Sequence, residues 1–230
     1  MSTEAGGTAV LLVGVLMIRL VLADAHLRYV QPAMGPWLLV SGAVLVVLGG
    51  VAVTRALRAP VAAAIHDDHD HGAHDRAGWL LIVPVLAVLL APPPALGSYG
   101  VDRGVTVAST GRTYPSLPDT GNPHPMALRE FGERAADGNG ASFAAQPVEL
   151  TGFVAGDAPG GFRLARFQIS CCAADAVAAV VIVHDPSGVA HARDTWATVV
   201  GTYRDVTADG VPELDAVAAQ QVAAPVDPYE

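Results

Sequence analysis

The chain has 230 residues, of which 52% are hydrophobic and 15% are charged, and its formal net charge is −9. This length allows one or two domains, and the apolar excess is typical of membrane-associated proteins rather than of ordinary soluble enzymes. The acidic balance, without a basic stripe, excludes nucleic acid as a partner, because phosphate binding needs clustered Lys and Arg side chains.

Three apolar stretches predict membrane-spanning helices over residues 9–25, 36–54 and 78–96. The second has no charge and is long enough to cross a hydrocarbon core of about 30 Å. In the third, Pro84 is expected to kink the helix and the prolines at 92–94 to end it. The first residues lack the positive charge of a signal peptide, so we expect the first helix to be retained.

The arginines predict the orientation of these helices. Residues 55–78 contain three arginines, whereas the connection at 26–35 contains one. The positive-inside rule then places residues 55–78 in the cytoplasm. With three spans, the C-terminal part is extracytoplasmic; with two, it would be cytoplasmic. We expect a multi-pass protein of the cell membrane with an extracytoplasmic C-terminal domain.

Residues 66–75 (HDDHDHGAHD) hold half of the chain's eight histidines. Neutral imidazoles and carboxylates are good ligands for Zn²⁺ and similar cations. A polar loop without metal is the alternative, but this density favours weak metal binding. No rigid element holds these side chains, which argues against a catalytic metal centre. The candidate ligands are His66, His69, Asp70, His71 and His74.

Beyond the third span, Gly, Pro, Ser and Thr dominate residues 98–125 and predict a linker. A short helix is predicted over 125–137, with Met126, Leu128 and Phe131 packing against the domain that follows and Gly138 ending the helix.

The C-terminal domain, residues 126–224, is predicted to be all-β. Its apolar residues alternate with a period of two. Gly152 and Gly201 lie inside predicted strands and favour the tight bends of a closed barrel. We therefore predict an OB-like five-stranded barrel, with an α+β sandwich as the alternative. The predicted strands are 148–155, 162–170, 176–184, 195–206 and 214–222.

Cys171 and Cys172 are the chain's two cysteines, and Asp175 follows closely. If the second strand continues into them, their side chains point to opposite faces. A disulfide between them is disfavoured, because neighbouring Cα atoms lie only about 3.8 Å apart.

Three roles for this pair stay open. One cysteine is a buried apolar residue beside a partly exposed thiol; the thiolates bind metal with Asp175 and His184; or the pair is redox-active, although the C-x-x-C spacing is missing. No nucleophile–base set, phosphate loop or metalloprotease motif is present in the sequence, so we predict no catalytic residues and no enzyme.

Five segments resemble the YcgQ-type family of bacterial permease subunits. They are APPPALGSYG, MALREFGERA, VELTGFV, FQISCCAADA and WATVVGTY, and the resemblance covers most of residues 80–222. The CCAADA string is its most specific part.

The resemblance implies N-terminal spans, a C-terminal domain, and a multi-span permease of the YraQ/YcgR type as partner. It also implies a role in divalent metal homeostasis, zinc above all, and marks Cys171, Cys172 and Asp175 as the positions of interest. A stand-alone metal-binding or metal-sensing membrane protein is the alternative function, and a thiol oxidoreductase the third.

Overall fold

A computed structural model describes residues 3–58, 82–91, 93–102, 113–187 and 191–230. The chain divides into two compact units, Met1–Pro94 and Ala95–Glu230. The predicted histidine loop, residues 66–75, lies outside the described residues.

Two long apolar helices dominate the described part of the first unit. Helix α1 is Thr3–Leu22 and helix α2 is Gly35–Arg58. By length and composition both are able to cross a membrane, although a signal sequence meets the same criterion. They confirm the first two predicted helices. Helix α1 ends before residue 25 because Asp24 has a φ of 53°, in the left-handed region.

Glycines allow α1 and α2 to pack with their backbones close together. A Cβ on Gly49 would lie 2.6 Å from the backbone nitrogen of Leu11. A Cβ on Gly14 would lie 2.7 Å from the carbonyl oxygen of Gly42. Small residues of this kind are the usual means of close helix packing in membranes.

The third predicted span is described only in part. Helix α3 is Ile82–Leu90 and includes Pro84, while residues 78–81 lie outside the described residues. The helix ends before the prolines at 92–94, as predicted, because proline cannot continue the backbone hydrogen bonding. Whether α3 belongs to a full span stays a prediction.

The second unit is a closed, OB-like barrel. The sheet order is β1-β2-β3-β4-β6-β5, and an additional pairing of β2 with β5 closes it. Pairing is antiparallel except between β1 and β2 and between β4 and β6. This confirms the five predicted barrel strands and adds a short strand, β1. The strands are β1 His124–Met126, β2 Val148–Ala158, β3 Gly161–Gln168, β4 Val177–His184, β5 Trp196–Val206 and β6 Pro212–Val222.

Alternating inward side chains fill the barrel, and a helix packs against this core. The short helix α4 is Ser98–Val101, and α5 is Leu128–Ala136, within the predicted range. Phe131 of α5 contacts Phe143 and Tyr203 edge-on, with ring centroids 5.2 and 6.2 Å away. The fully buried inward residues include Leu150, Leu164, Val181, Val199 and Leu214.

Both predicted strand glycines lie where two backbones approach closely. A Cβ on Gly152 would be 2.7 Å from the carbonyl oxygen of Ala165, and one on Gly201 would overlap that of Asp215. The register of the β5–β6 pair shifts between Val200 and Gly201. These are the bends that a closed barrel needs.

The described parts of the predicted linker, residues 98–125, contact the barrel. The backbone N–H and the hydroxyl of Ser98 donate to the carboxylate of Asp194, at 2.6 and 2.9 Å. Asp102 pairs with Arg163 and Arg193, at 3.0 and 2.7 Å. The described residues at 98–102 are therefore held by specific polar contacts, and Ser98–Val101 form the short helix α4 rather than an extended chain.

The last residues return to the barrel beside β3. Tyr229 forms a parallel bridge with Phe167. The carboxylate of Glu230 accepts the backbone N–H groups of Leu128 (2.9 Å) and Arg129 (3.2 Å), at the start of α5. Ala127, at the N-cap position, has no side chain that caps the helix, so Glu230 satisfies these donors instead.

Candidate functional site

Cys171 and Cys172 lie in the loop between β3 and β4. Strand β3 ends at Gln168, and a 3-10 turn spans Ala173–Asp175. The strand therefore ends two residues before its predicted end at 170 and does not continue into the cysteines. The reason is local: the Asp175 carboxylate accepts the N–H groups of Ser170 and Cys171, each at 2.8 Å, which gives these donors a partner outside the sheet.

The loop also brings the two thiols together. Their Sγ atoms lie 3.6 Å apart, which contradicts the predicted placement on opposite faces of a strand. Cys171 is exposed and Cys172 is half-buried. One ligand atom from each of Cys171, Cys172 and Asp175 lies within 4.8 Å of the other two, and among the described residues these three form the one such cluster of His, Cys, Asp or Glu.

The negative charge of Asp175 governs the electrostatics of the loop. The Cys171 thiol and then the Ser170 N–H lower the pKa of Asp175 below its ordinary value. In return, hydrogen bonding to Asp175 and then to Cys172 raises the pKa of the Cys171 thiol to about 11. At neutral pH the carboxylate is ionised and the Cys171 thiol is protonated, so a cation that binds here must displace a proton.

The spacing of the sulfurs fits a single tetrahedral cation. With Zn–S bonds of about 2.3 Å, two thiolates on one tetrahedral zinc lie about 3.8 Å apart. The observed separation of 3.6 Å is close to that value. Asp175 brings a carboxylate oxygen, which is also a normal zinc ligand. Cys171, Cys172 and Asp175 therefore form a set of three zinc-type donors in which the two sulfurs have the spacing of ligands on one zinc.

The ends of the loop are anchored in a hydrophobic cluster on the outside of the barrel. Ile169 is 2% exposed and belongs to this cluster, with Phe167 and Tyr229. Ala176, which follows Asp175, packs against it, as does Leu96 at the start of the unit. Both flanks of the loop at 169–176 are thus fixed by packing, while the Cys171 side chain is exposed and that of Cys172 is half-buried.

His184, predicted as a further ligand of the cysteines, is not near them. Strands β3 and β4 form an antiparallel hairpin in which His184 pairs with Gly161, so it lies at the end of β4 remote from the loop. Its Nε2 contacts a carboxylate oxygen of Glu213 at 3.0 Å. That prediction is wrong, because a strand of eight residues separates the two positions. The other predicted ligands, His66, His69, Asp70, His71 and His74, lie outside the described residues.

The sequence offered one signal for this loop that the strand prediction did not use. Aspartate is depleted in strands and favours turns through hydrogen bonds to nearby backbone N–H groups. Asp175 does this with residues that precede it. The hydrogen bond from the Ser170 N–H, which holds the Asp175 carboxylate in place, could not be predicted from the sequence.

One comparison with known proteins covers the whole barrel and its loop. Residues 135–230 match the DUF1980 C-terminal domain. The match begins in the last turn of α5 and includes β2 to β6 and Glu230. Cys171, Cys172 and Asp175 therefore all lie within the matched residues, whereas the helical unit lies outside the match. A search of the curated proteins found no match.

Proposed function

We propose that the protein is a membrane-anchored accessory subunit of a multi-span permease, and that its DUF1980 C-terminal domain binds divalent zinc. The binding residues are Cys171, Cys172 and Asp175. The observation that supports this most is the 3.6 Å separation of the two sulfurs, which suits chelation of one tetrahedral cation.

The donor set favours zinc over the common hard cations. Ca²⁺ and Mg²⁺ prefer oxygen ligands, and Mg²⁺ demands octahedral geometry. Two thiolates select a softer ion, while the carboxylate keeps the site compatible with divalent zinc. The exposure of Cys171 gives the ion a direct path from solvent.

The membrane anchor and the permease partner have different support. Helices α1 and α2 are long and apolar enough to span a membrane. The partner, of the YraQ/YcgR type, follows from the resemblance to the YcgQ-type permease subunits. The extracytoplasmic location of the barrel is supported by the arginines at 55–78 together with the third predicted span.

Zinc content tests the metal site. The full chain is purified in mild detergent with the four histidines of the loop at 66–75 replaced by alanine, so that only the barrel is measured. We expect one zinc per chain, lost on Cys171→Ala/Cys172→Ala. The control is Asp209→Asn, which removes an exposed carboxylate in the β5–β6 turn. This variant should retain the metal. Equal zinc content in all three would remove the cysteines from the site.

Affinity purification of the full chain from membranes tests the partnership. A multi-span protein should be recovered in stoichiometric amount. If the chain is a monomer under crosslinking and still binds zinc, the alternative of a stand-alone metal-binding protein replaces the permease subunit. Labelling of Cys171 in intact cells by a membrane-impermeant thiol reagent tests the extracytoplasmic location.

A further inference from the structure

One buried residue, Tyr229, connects separate parts of the second unit. Its backbone forms the parallel bridge with Phe167 at the end of β3. Its hydroxyl accepts a hydrogen bond from the backbone N–H of Leu96 at 3.3 Å. The residue is 5% exposed and belongs to the hydrophobic cluster that also contains Val101 and Ile169. Tyr229 therefore links the segment that leads into the barrel with the start of the loop that holds the cysteines.

Residues 227–230 form a strap that is held to β3 by hydrogen bonds to its main chain. The Arg166 guanidinium donates to the carbonyl oxygens of residues 227, 228 and 229, at 3.1, 3.3 and 3.1 Å. The backbone N–H of Glu230 donates to the carbonyl oxygen of Phe167 at 2.9 Å. Strand β3 ends at the next residue, Gln168. The strap is therefore fixed to the part of β3 that leads directly into the loop at 169–176.

Residues 96–102 pack on the same hydrophobic cluster. Val101 is 7% exposed within it, and Leu96 packs against it. The approach of this segment to β3 is close, since a Cβ on Gly100 would lie 2.9 Å from the Cζ atom of Phe167. The strap, residues 96–102 and both flanks of the loop therefore share one cluster.

A shared cluster couples the arrangement of the loop to that of the strap. Cys171, Cys172 and Asp175 lie between the flanks that the cluster holds, and fixing these flanks limits the arrangements that are open to the three donors. If the flanks are released, only a fraction of the molecules has the donors together, and the apparent dissociation constant of the metal rises by the inverse of that fraction. By linkage, a metal that holds the donors together stabilises the docked strap by the same factor.

We infer that Tyr229 is a positioning residue for the metal site, and that metal binding at the loop and docking of the strap and of residues 96–102 stabilise each other. This inference rests on the proposed function. Occupancy of the loop then changes how firmly residues 96–102 are held, and these residues connect the barrel to the helical unit along the chain. The domain thereby converts its metal content into a change at the segment that tethers it.

The zinc affinity of Tyr229 variants tests the positioning role. The full chain in mild detergent, with alanine at the four histidines of the loop at 66–75, is titrated with zinc against a competing chelator. Tyr229→Ala, which removes the ring from the cluster, should weaken zinc binding by about tenfold, within the usual range of coupling between two sites. Tyr229→Phe keeps the ring and should bind zinc as the parent does.

Val199→Ala is the matched control, because it removes buried apolar volume from the inside of the barrel and not from the cluster around Tyr229. This variant should have a lower thermal midpoint and an unchanged zinc affinity. Unchanged affinity in Tyr229→Ala, or equal weakening by Val199→Ala, would overturn the inference and leave the zinc site in place.

Hydrogen exchange tests the reciprocal effect in a chain that keeps Tyr229. Zinc should slow exchange of the backbone N–H groups of Leu96 and Glu230 by about tenfold, the same factor as the change in affinity. Zinc should have no effect on these groups in Cys171→Ala/Cys172→Ala. Equal exchange with and without zinc, in a chain that binds zinc, would contradict the coupling alone. A chain that binds no zinc overturns the proposed function and the inference with it.

Discussion

The Sγ atoms of Cys171 and Cys172 lie 3.6 Å apart, although the residues are neighbours in the chain. In a strand they would face opposite sides of the sheet. The loop that follows β3 brings one ligand atom from each of the two cysteines and Asp175 within 4.8 Å of the others, so that the three side chains form one cluster.

The first prediction concerns the reactivity of Cys171. Hydrogen bonding to Asp175 and then to Cys172 raises the pKa of this thiol to about 11, so Asp175→Asn removes the larger cause and should lower the pKa toward its ordinary value of 9.0. Each pKa unit of that fall corresponds to roughly tenfold more thiolate near neutral pH, and the lower nucleophilicity of the more acidic thiol offsets about half of this gain in the logarithm of the rate. The rate of Cys171 alkylation by iodoacetamide, followed from pH 7 to 11 in a Cys172→Ser background, measures this change.

In the same titration, the rate for the Asp175 parent should keep rising to a pH well above 9, because Asp175 still raises the pKa of the thiol. The rate for Asp175→Asn should reach its plateau at a lower pH. Coincident profiles would show that the carboxylate does not control the thiol.

The second prediction concerns the barrel bend at Gly152. In Gly152→Ala the new Cβ would lie 2.7 Å from the carbonyl oxygen of Ala165, so strands must move apart. We expect the free energy of unfolding to fall by about 1–3 kcal/mol, which is typical of overpacking. Thermal unfolding of the full chain measures the change.

Gly132→Ala is the matched control for this substitution. Gly132 lies within α5, and its nearest neighbour would be 3.9 Å from the new Cβ. Alanine is the better helix former, so stability should be unchanged or rise by up to about 1 kcal/mol. A Gly152 variant as stable as this control would contradict the close approach of β2 and β3.

The third prediction concerns the pH dependence that Glu230 contributes. Burial is the main cause that raises the pKa of this carboxyl above its ordinary value of 4.5, against the opposing N–H groups of Leu128 and Arg129. A raised pKa means that the folded state favours the protonated form. Its stabilising contribution is therefore complete below pH 4.5 and is lost as pH rises through the folded pKa.

Glu230→Gln tests this sign, because the amide does not ionise. The wild type should lose stability relative to the variant as pH rises from 4 to 7, measured as the difference between their thermal midpoints. Asp209→Asn, at an exposed carboxyl, is the matched control. Parallel profiles for wild type and Glu230→Gln would contradict the raised pKa.

The fourth prediction compares two neighbouring glycines of α2. Gly49→Leu places a side chain against the backbone of Leu11, whereas a Cβ on Gly50 meets nothing within 4 Å. Gly49→Leu should lower the temperature at which helical circular dichroism is lost in mild detergent. Gly50→Leu should leave that temperature unchanged. Equal effects of the two substitutions would show that α1 and α2 do not pack through this face.

The pattern of apolar and polar residues predicted the helices and strands of the molecule well. The five barrel strands follow from period-two alternation, because inward residues such as Leu164 and Val181 must be apolar while outward ones need not be. The glycines at 152 and 201 indicated closure for a physical reason, since both lie where strands meet closely. The helix at Leu128–Ala136 followed from its apolar face and from Gly138.

The candidate site was only partly predictable. FQISCC continues the apolar pattern of β3, so periodicity alone extends the strand past Gln168. The Asp175 carboxylate ends the strand, because it accepts hydrogen bonds from N–H groups earlier in the chain. A contact of this kind leaves no periodic pattern in the sequence. His184 was assigned to the cysteines by nearness in sequence, but the β3–β4 hairpin separates them.

X-ray absorption spectroscopy at the zinc edge tests the central claim most directly. The sample is the zinc-loaded full chain with alanine at the four loop histidines, reduced with a phosphine rather than a thiol. We predict two sulfur ligands at about 2.3 Å and oxygen or nitrogen ligands at about 2.0–2.2 Å, with the sulfur shell lost in Cys171→Ala/Cys172→Ala. A zinc shell of oxygen and nitrogen alone in the parent protein would contradict the account.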